Sequence, residues 1–86
     1  MNQPYSQKRE HNLIVRTFSQ NVDEDELVWH RDREDRIVKV LENTDWQFQF
    51  DDEIPQQLKD TIFIPKNIYH RIIKGTGDLT VEIYEV

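Results

Sequence analysis

Cysteine is absent from this chain, which excludes both disulfides and thiolate-held zinc. That suits a reducing compartment, and a cytoplasmic protein is the expectation. No apolar run approaches the ~20 residues of a membrane span. The polar start Met1-Asn2-Gln3-Pro4 lacks the apolar core of a signal peptide. Positive charge is also scarce: 11 Lys and Arg against 17 Asp and Glu leave a net charge of −6. A nucleic-acid partner needs clustered cations and is therefore not expected. There is no cysteine nucleophile, no G-x-S-x-G motif and no phosphate loop; Gly75-Thr76-Gly77 reads as a turn. The acidic run Asp51-Asp52-Glu53 has no apolar wall to raise a carboxyl pKa. Helical periodicity longer than two turns is missing as well.

What is present is a rhythm of short strands. Eighty-six residues make one domain with a thin core. Residues 1–10, rich in Asn, Gln, Ser and Lys around a proline, read as a loosely ordered arm, and 11–86 as the domain. Strands are expected over 12–18, 26–31, 36–42, 46–50, a short edge segment at Ile54-Pro55, 61–64, 69–74 and 79–86. Trp46-Gln47-Phe48-Gln49-Phe50 alternates most cleanly, with three aromatics on one side and two glutamines on the other. Turn chemistry separates the runs, and Asn67 is expected in the left-handed region that Asn tolerates. About eight short strands punctuated this way predict an all-β jelly-roll barrel.

Two segments carry the candidate chemistry, Trp29-His30-Arg31-Asp32 and Ile64-Pro65-Lys66-Asn67-Ile68-Tyr69-His70. On a strand, His30 and Asp32 share a face with Cα atoms ~6.5–7 Å apart, close enough for one ion. His70 can join them from a neighbouring strand. Two imidazoles and a carboxylate suit non-haem Fe(II), and also Mn, Ni or Zn. The competing reading is a metal-free cavity in which His30 bonds Asp32 or a backbone carbonyl. Arg36 has three readings: it pairs with Asp32, it grips an anionic substrate, or it turns outward within the charged run 31–36. Gln47 and Gln49 face solvent if the aromatics fill the interior; with the face reversed they line the cavity as ligand-binding candidates. Tyr69 lies on the strand face opposite His70 and reads as packing, and His11 as incidental.

This pattern resembles the cupin superfamily. In that family a first motif carries two histidines one residue apart and then a glutamate, and a second carries a proline, a glycine and a distal histidine. His30 and Asp32 fall on the first pair and Arg36 on the glutamate; Pro65, Asn67 and His70 fall on the second motif. Asp32, Arg36 and Asn67 depart from the family's residue types, as does Lys74 where the family has asparagine. The resemblance covers residues 26–85. It implies a double-stranded β-helix that holds a divalent metal through His30, Asp32 and His70. It also implies a small metal-dependent enzyme of dioxygenase or isomerase type acting on a small polar or anionic molecule, with Arg36 beside the reacting centre. The alternative is a non-catalytic module that binds a small ligand or acts through a partner. A homodimer is expected from the thin core and from outward-pointing Leu27, Trp29, Ile37 and Leu41.

Overall fold

The computed structural model describes residues 3–86, so Met1 and Asn2 of the expected arm lie outside the described residues. Eight strands follow in chain order: β1 Ser6–Glu10, β2 Leu13–Phe18, β3 Arg36–Val40, β4 Gln47–Phe50, β5 Gln56–Gln57, β6 Thr61–Ile64, β7 His70–Ile73 and β8 Leu79–Glu85. They form a five-stranded sheet in the order β1-β2-β8-β3-β6 and a three-stranded sheet in the order β5-β4-β7. Every pairing is antiparallel. The jelly-roll character holds, but the sheets are not closed into a barrel.

Period-2 alternation sets which side chains fill the space between the sheets. From the larger sheet come Ile14 and Phe18 of β2, Leu79, Val81 and Ile83 of β8, Val38 of β3 and Ile64 of β6. The smaller sheet contributes Phe48, next to fully buried Trp46. Each such side chain contributes about 1.5–3 kcal/mol on burial. Trp46 keeps its one polar atom satisfied, since its indole Nε1 donates to the Gly77 carbonyl at 3.0 Å. Gly77 has φ 72° in the turn that enters β8.

Two expected segments differ. The run 26–31 forms no strand: Glu24–Glu26 is a single 3-10 turn capped by Asp23, and the chain reaches only an isolated bridge at His30. Its β-prone residues find no long ladder to join. The opposite holds at Ser6–Glu10, expected to be loose, which pairs along its whole length with β2. Every residue of that strand is exposed, so its order comes from backbone hydrogen bonds and not from burial. Among the described residues no helix is long and apolar enough to cross a membrane.

Candidate metal centre

Backbone geometry brings the two histidines together. The His30 N–H donates to the His70 carbonyl at 3.0 Å, and the His70 N–H donates to the His30 carbonyl at 2.8 Å. The two residues are thus a hydrogen-bonded antiparallel pair beside the start of β7. The turn before β7 locks the register. Asn67, with φ 65° as expected, donates its N–H to the Asp32 carbonyl at 2.8 Å. Lys66 N–H donates to the Asp35 carboxylate at 2.8 Å. Residues 30–35 are therefore pinned to residues 66–70, with Asp32 on the same side as His30.

Alternation across this pair separates two faces. Inward, the His30 and His70 rings meet edge to face at 4.4 Å, and the buried His70 ring stacks on Phe48 at 5.5 Å. Outward, the Arg71 guanidinium covers Trp29 at 4.6 Å, and that of Arg31 covers Tyr69 at 5.3 Å. Arg71 also donates from Nε and Nη2 to the Gln49 side-chain oxygen, at 3.0 and 2.9 Å. Gln47 and Gln49 are thus on the outer face and line no part of the cavity. The aromatic alternative won because Trp46 and Phe48 gain far more from the interior than the glutamines would. Leu27, expected to point outward, packs against the core and lines the cavity with Val28. The missing strand releases both from alternation.

One nitrogen, one nitrogen and one carboxylate oxygen from His30, His70 and Asp32 lie within 4.8 Å of one another. Each histidine has its Nδ1 against the carbonyl two residues earlier, Val28 at 3.1 Å for His30 and Ile68 at 2.8 Å for His70. A carbonyl only accepts, so each Nδ1 carries the proton. In the neutral ring, each Nε2 is then left as a lone pair. His70 Nε2 faces Asp32 Oδ2 at 3.4 Å, beyond a good hydrogen bond, and that buried oxygen has no hydrogen-bond partner. Lone pair against carboxylate is repulsive. A proton on Nε2 or a cation between the atoms relieves it.

Burial opposes ionisation of Asp32, but a proton on His70 Nε2, which turns that contact into a hydrogen bond, and the charge of Arg36 outweigh it and hold the carboxyl below its ordinary value. Burial lowers the pKa of His30, and the nearby His70 and Arg16 add to this against the Val28 hydrogen bond and Asp32. The shift favours the neutral imidazole, the form able to ligate. Arg36 turns inward, contrary to the outward reading. Its Nη1 meets Asp32 Oδ1 at 3.2 Å, and its Nη2 meets Glu34 at 3.1 Å and Glu85 at 2.8 Å. It is an anchor for three carboxylates. Oδ1 of Asp32 is thereby occupied, and Oδ2 is free for a ligand.

The centre opens into a cavity of about 330 Å³ between the sheets, apolar along most of its wall. Small-ligand pockets begin near this size, about 300 Å³. Arg16, absent from the sequence-based candidates, also lines it. Its signal lay in β2, where Ile14, Arg16 and Phe18 alternate onto the inner face and the middle residue is charged.

Comparison with known proteins gives the fold. No family model and no curated protein matches the chain. Among solved structures, a cupin-2 domain protein of Shewanella frigidimarina is 25% identical at TM-score 0.62, covering 96% of this chain and 81% of that one. A cupin domain of Bordetella pertussis is 16% identical at TM-score 0.65, covering 100% and 98%. An Fe(II) form of HppE is 17% identical at TM-score 0.65, covering 95% of this chain but only 48% of that one.

Proposed function

We propose that this cupin-fold chain holds one divalent metal, Fe, Mn, Ni or Zn, through His30 Nε2, His70 Nε2 and Asp32 Oδ2, and is a small metal-dependent enzyme acting on a small polar or anionic molecule. One observation carries the reading: buried Asp32 Oδ2 has no hydrogen-bond partner and faces His70 Nε2. Both imidazoles are oriented by the same Nδ1-to-carbonyl device, the usual arrangement behind metal-bound histidine. The likeness to an Fe(II) protein supports a divalent ion. A dioxygenase or isomerase reaction belongs to this proposal. Such a metal supplies Lewis acidity and, if iron, redox capacity. The chain's own residues do the rest. Arg36 positions Asp32, Phe48 fixes the plane of the His70 ring, and the apolar wall keeps water from the bound molecule.

The ion pair between Arg36 and Asp32 supports a second reading, a metal-free binding module with a neutralised cavity. Titration of chelator-treated protein with Co(II), followed by its visible absorption, separates the two. The metal reading requires saturation at one equivalent and loss of the signal in His30→Ala/His70→Ala. Absence of saturable binding by wild type leaves the module. The proposal includes a homodimer, with exposed Trp29 and Leu41 available for pairing.

A further inference from the structure

Arg16 stands apart from every other cation near the cavity. It occupies an inward position of β2 between Ile14 and Phe18, where a charged side chain is costly. Its guanidinium lies over the Tyr5 ring at 3.8 Å. Its Nε and Nη2 donate to the neutral Gln7 side-chain oxygen at 3.0 and 2.8 Å. Among the described residues no carboxylate lies within ion-pair distance of it, although the chain carries 17. The two carboxylates whose fields reach it, Asp32 and Glu85, are held elsewhere. Arg36 takes Asp32, and Arg9 and Arg36 take Glu85. Burial lowers the pKa of Arg16, yet a guanidinium remains cationic in any protein. The result is a half-buried, permanent positive charge in the wall of an apolar cavity, with no anion of its own.

The way it is held shows what it can take. Gln7 occupies the Nε/Nη2 edge and Tyr5 one face, so the guanidinium is oriented before any ligand arrives. Among the described residues Nη1 makes no hydrogen bond, leaving the Nη1/Nη2 end open. That end presents two parallel N–H groups, the geometry that accepts both oxygens of a carboxylate. Arg16 shares the cavity wall with Phe18, Leu79 and Val81.

We propose that Arg16 is the anion-binding residue of the cavity, and that its ligand is a small monocarboxylate with an apolar body. The inference rests on the proposed function and specifies its substrate class, with the role of gripping the anion moved from Arg36 to Arg16. Gln7 and Tyr5 are positioning residues for Arg16. Arg36 is committed through Nη1 and Nη2 to Asp32, Glu34 and Glu85, which leaves it a single Nε–H and no fork.

Benzoate and its neutral isostere benzamide test this by calorimetry on the full chain, with metal content measured on the same samples. Wild type should bind benzoate at least ~10-fold more tightly than benzamide, as a charge-assisted pair requires. Arg16→Gln should weaken benzoate about 10- to 100-fold and leave benzamide and metal content unchanged. Arg16→Lys, which retains charge but loses the fork, should fall between the two. Equal binding of benzoate and benzamide, no benzoate binding by wild type, or full affinity in folded Arg16→Gln overturns the inference. If Arg16→Gln does not fold, Arg16→Lys and the benzoate–benzamide ratio of wild type decide. Preferential benzoate binding by a protein that takes up no metal refutes the metal reading alone. Metal uptake without benzoate preference refutes the carboxylate site alone.

Discussion

Replacing Arg36 with methionine separates the fold's need for charge balance from the site's need for a cation. Arg36 contacts Asp32, Glu34 and Glu85 at 3.2, 3.1 and 2.8 Å, and the side chains of Asp32 and Glu85 are only 9% and 14% exposed. Methionine retains the stem that packs in the cavity wall but strands those carboxylates. Removing one partner of a buried ion pair costs about 3–5 kcal/mol. Arg9 remains on Glu85, and Glu34 is more exposed, so the lower end, ~3 kcal/mol, is expected. For a domain of this size that is a fall in Tm of about 12–24 °C. Urea denaturation in EDTA measures it. The same substitution frees Asp32 Oδ1, so affinity for a divalent ion should rise about 10-fold, the equivalent of ~1.4 kcal/mol. Added Co(II) should then restore part of the lost stability, because an ion that binds only the folded state stabilises it by mass action. If Arg36→Met is as stable as wild type in EDTA, the three ion pairs are decorative. If it is unstable but binds Co(II) no better, Asp32 is not a ligand.

Other substitutions probe the rest of the account. His30 has a folded pKa below the ordinary 6.5, so the unfolded chain takes up its proton first as the medium is acidified. Stability of chelator-treated protein should therefore decline as pH falls from about 6.5 towards that lower value, and His30→Gln should remove this phase. Asp32 behaves in the same sense, at lower pH. Its contribution is present above pH ~3.9 and is lost as pH falls through its depressed folded pKa, leaving a second acid phase in both proteins. At Gly75 a Cβ would stand 2.3 Å from Asp45 Oδ1 and 2.6 Å from the Trp46 backbone nitrogen. Gly75→Ala should cost about 1–3 kcal/mol in urea denaturation, as overpacking does. Unchanged stability there would mean that the Asp45–Thr76 contacts, at 2.7 and 2.8 Å, are dispensable. Sedimentation equilibrium at micromolar concentration should give a species twice the 10.5 kDa chain mass; a monomer contradicts the pairing of Trp29 and Leu41.

Where alternation and burial agree, the sequence was legible. Trp46-Gln47-Phe48-Gln49-Phe50 declared a strand but left both facings open, and the burial of Trp46 and Phe48 settles which one the fold adopts. Where backbone hydrogen bonds decide, it was not. Ser6–Glu10 carries no apolar side chain and is ordered by pairing with β2, while 26–31 has β-branched and aromatic residues but lacks a ladder. The spacing of His30, Asp32 and His70 sufficed to place them together, since the turn at Asn67 and reciprocal bonding of the histidines fix their geometry. Arg36 could not be resolved beforehand because its orientation depends on Glu85, 49 residues away and brought opposite by the β3–β8 register. Arg16 was hidden among ordinary strand residues until β2 was seen to border the cavity.

The metal content of untagged protein, measured by elemental analysis after growth with iron, manganese, nickel and zinc supplied, tests the central claim most directly. The account predicts one transition-metal ion per chain in wild type and its loss from His70→Ala. Wild type essentially free of metal, or His70→Ala retaining the full complement, would contradict it.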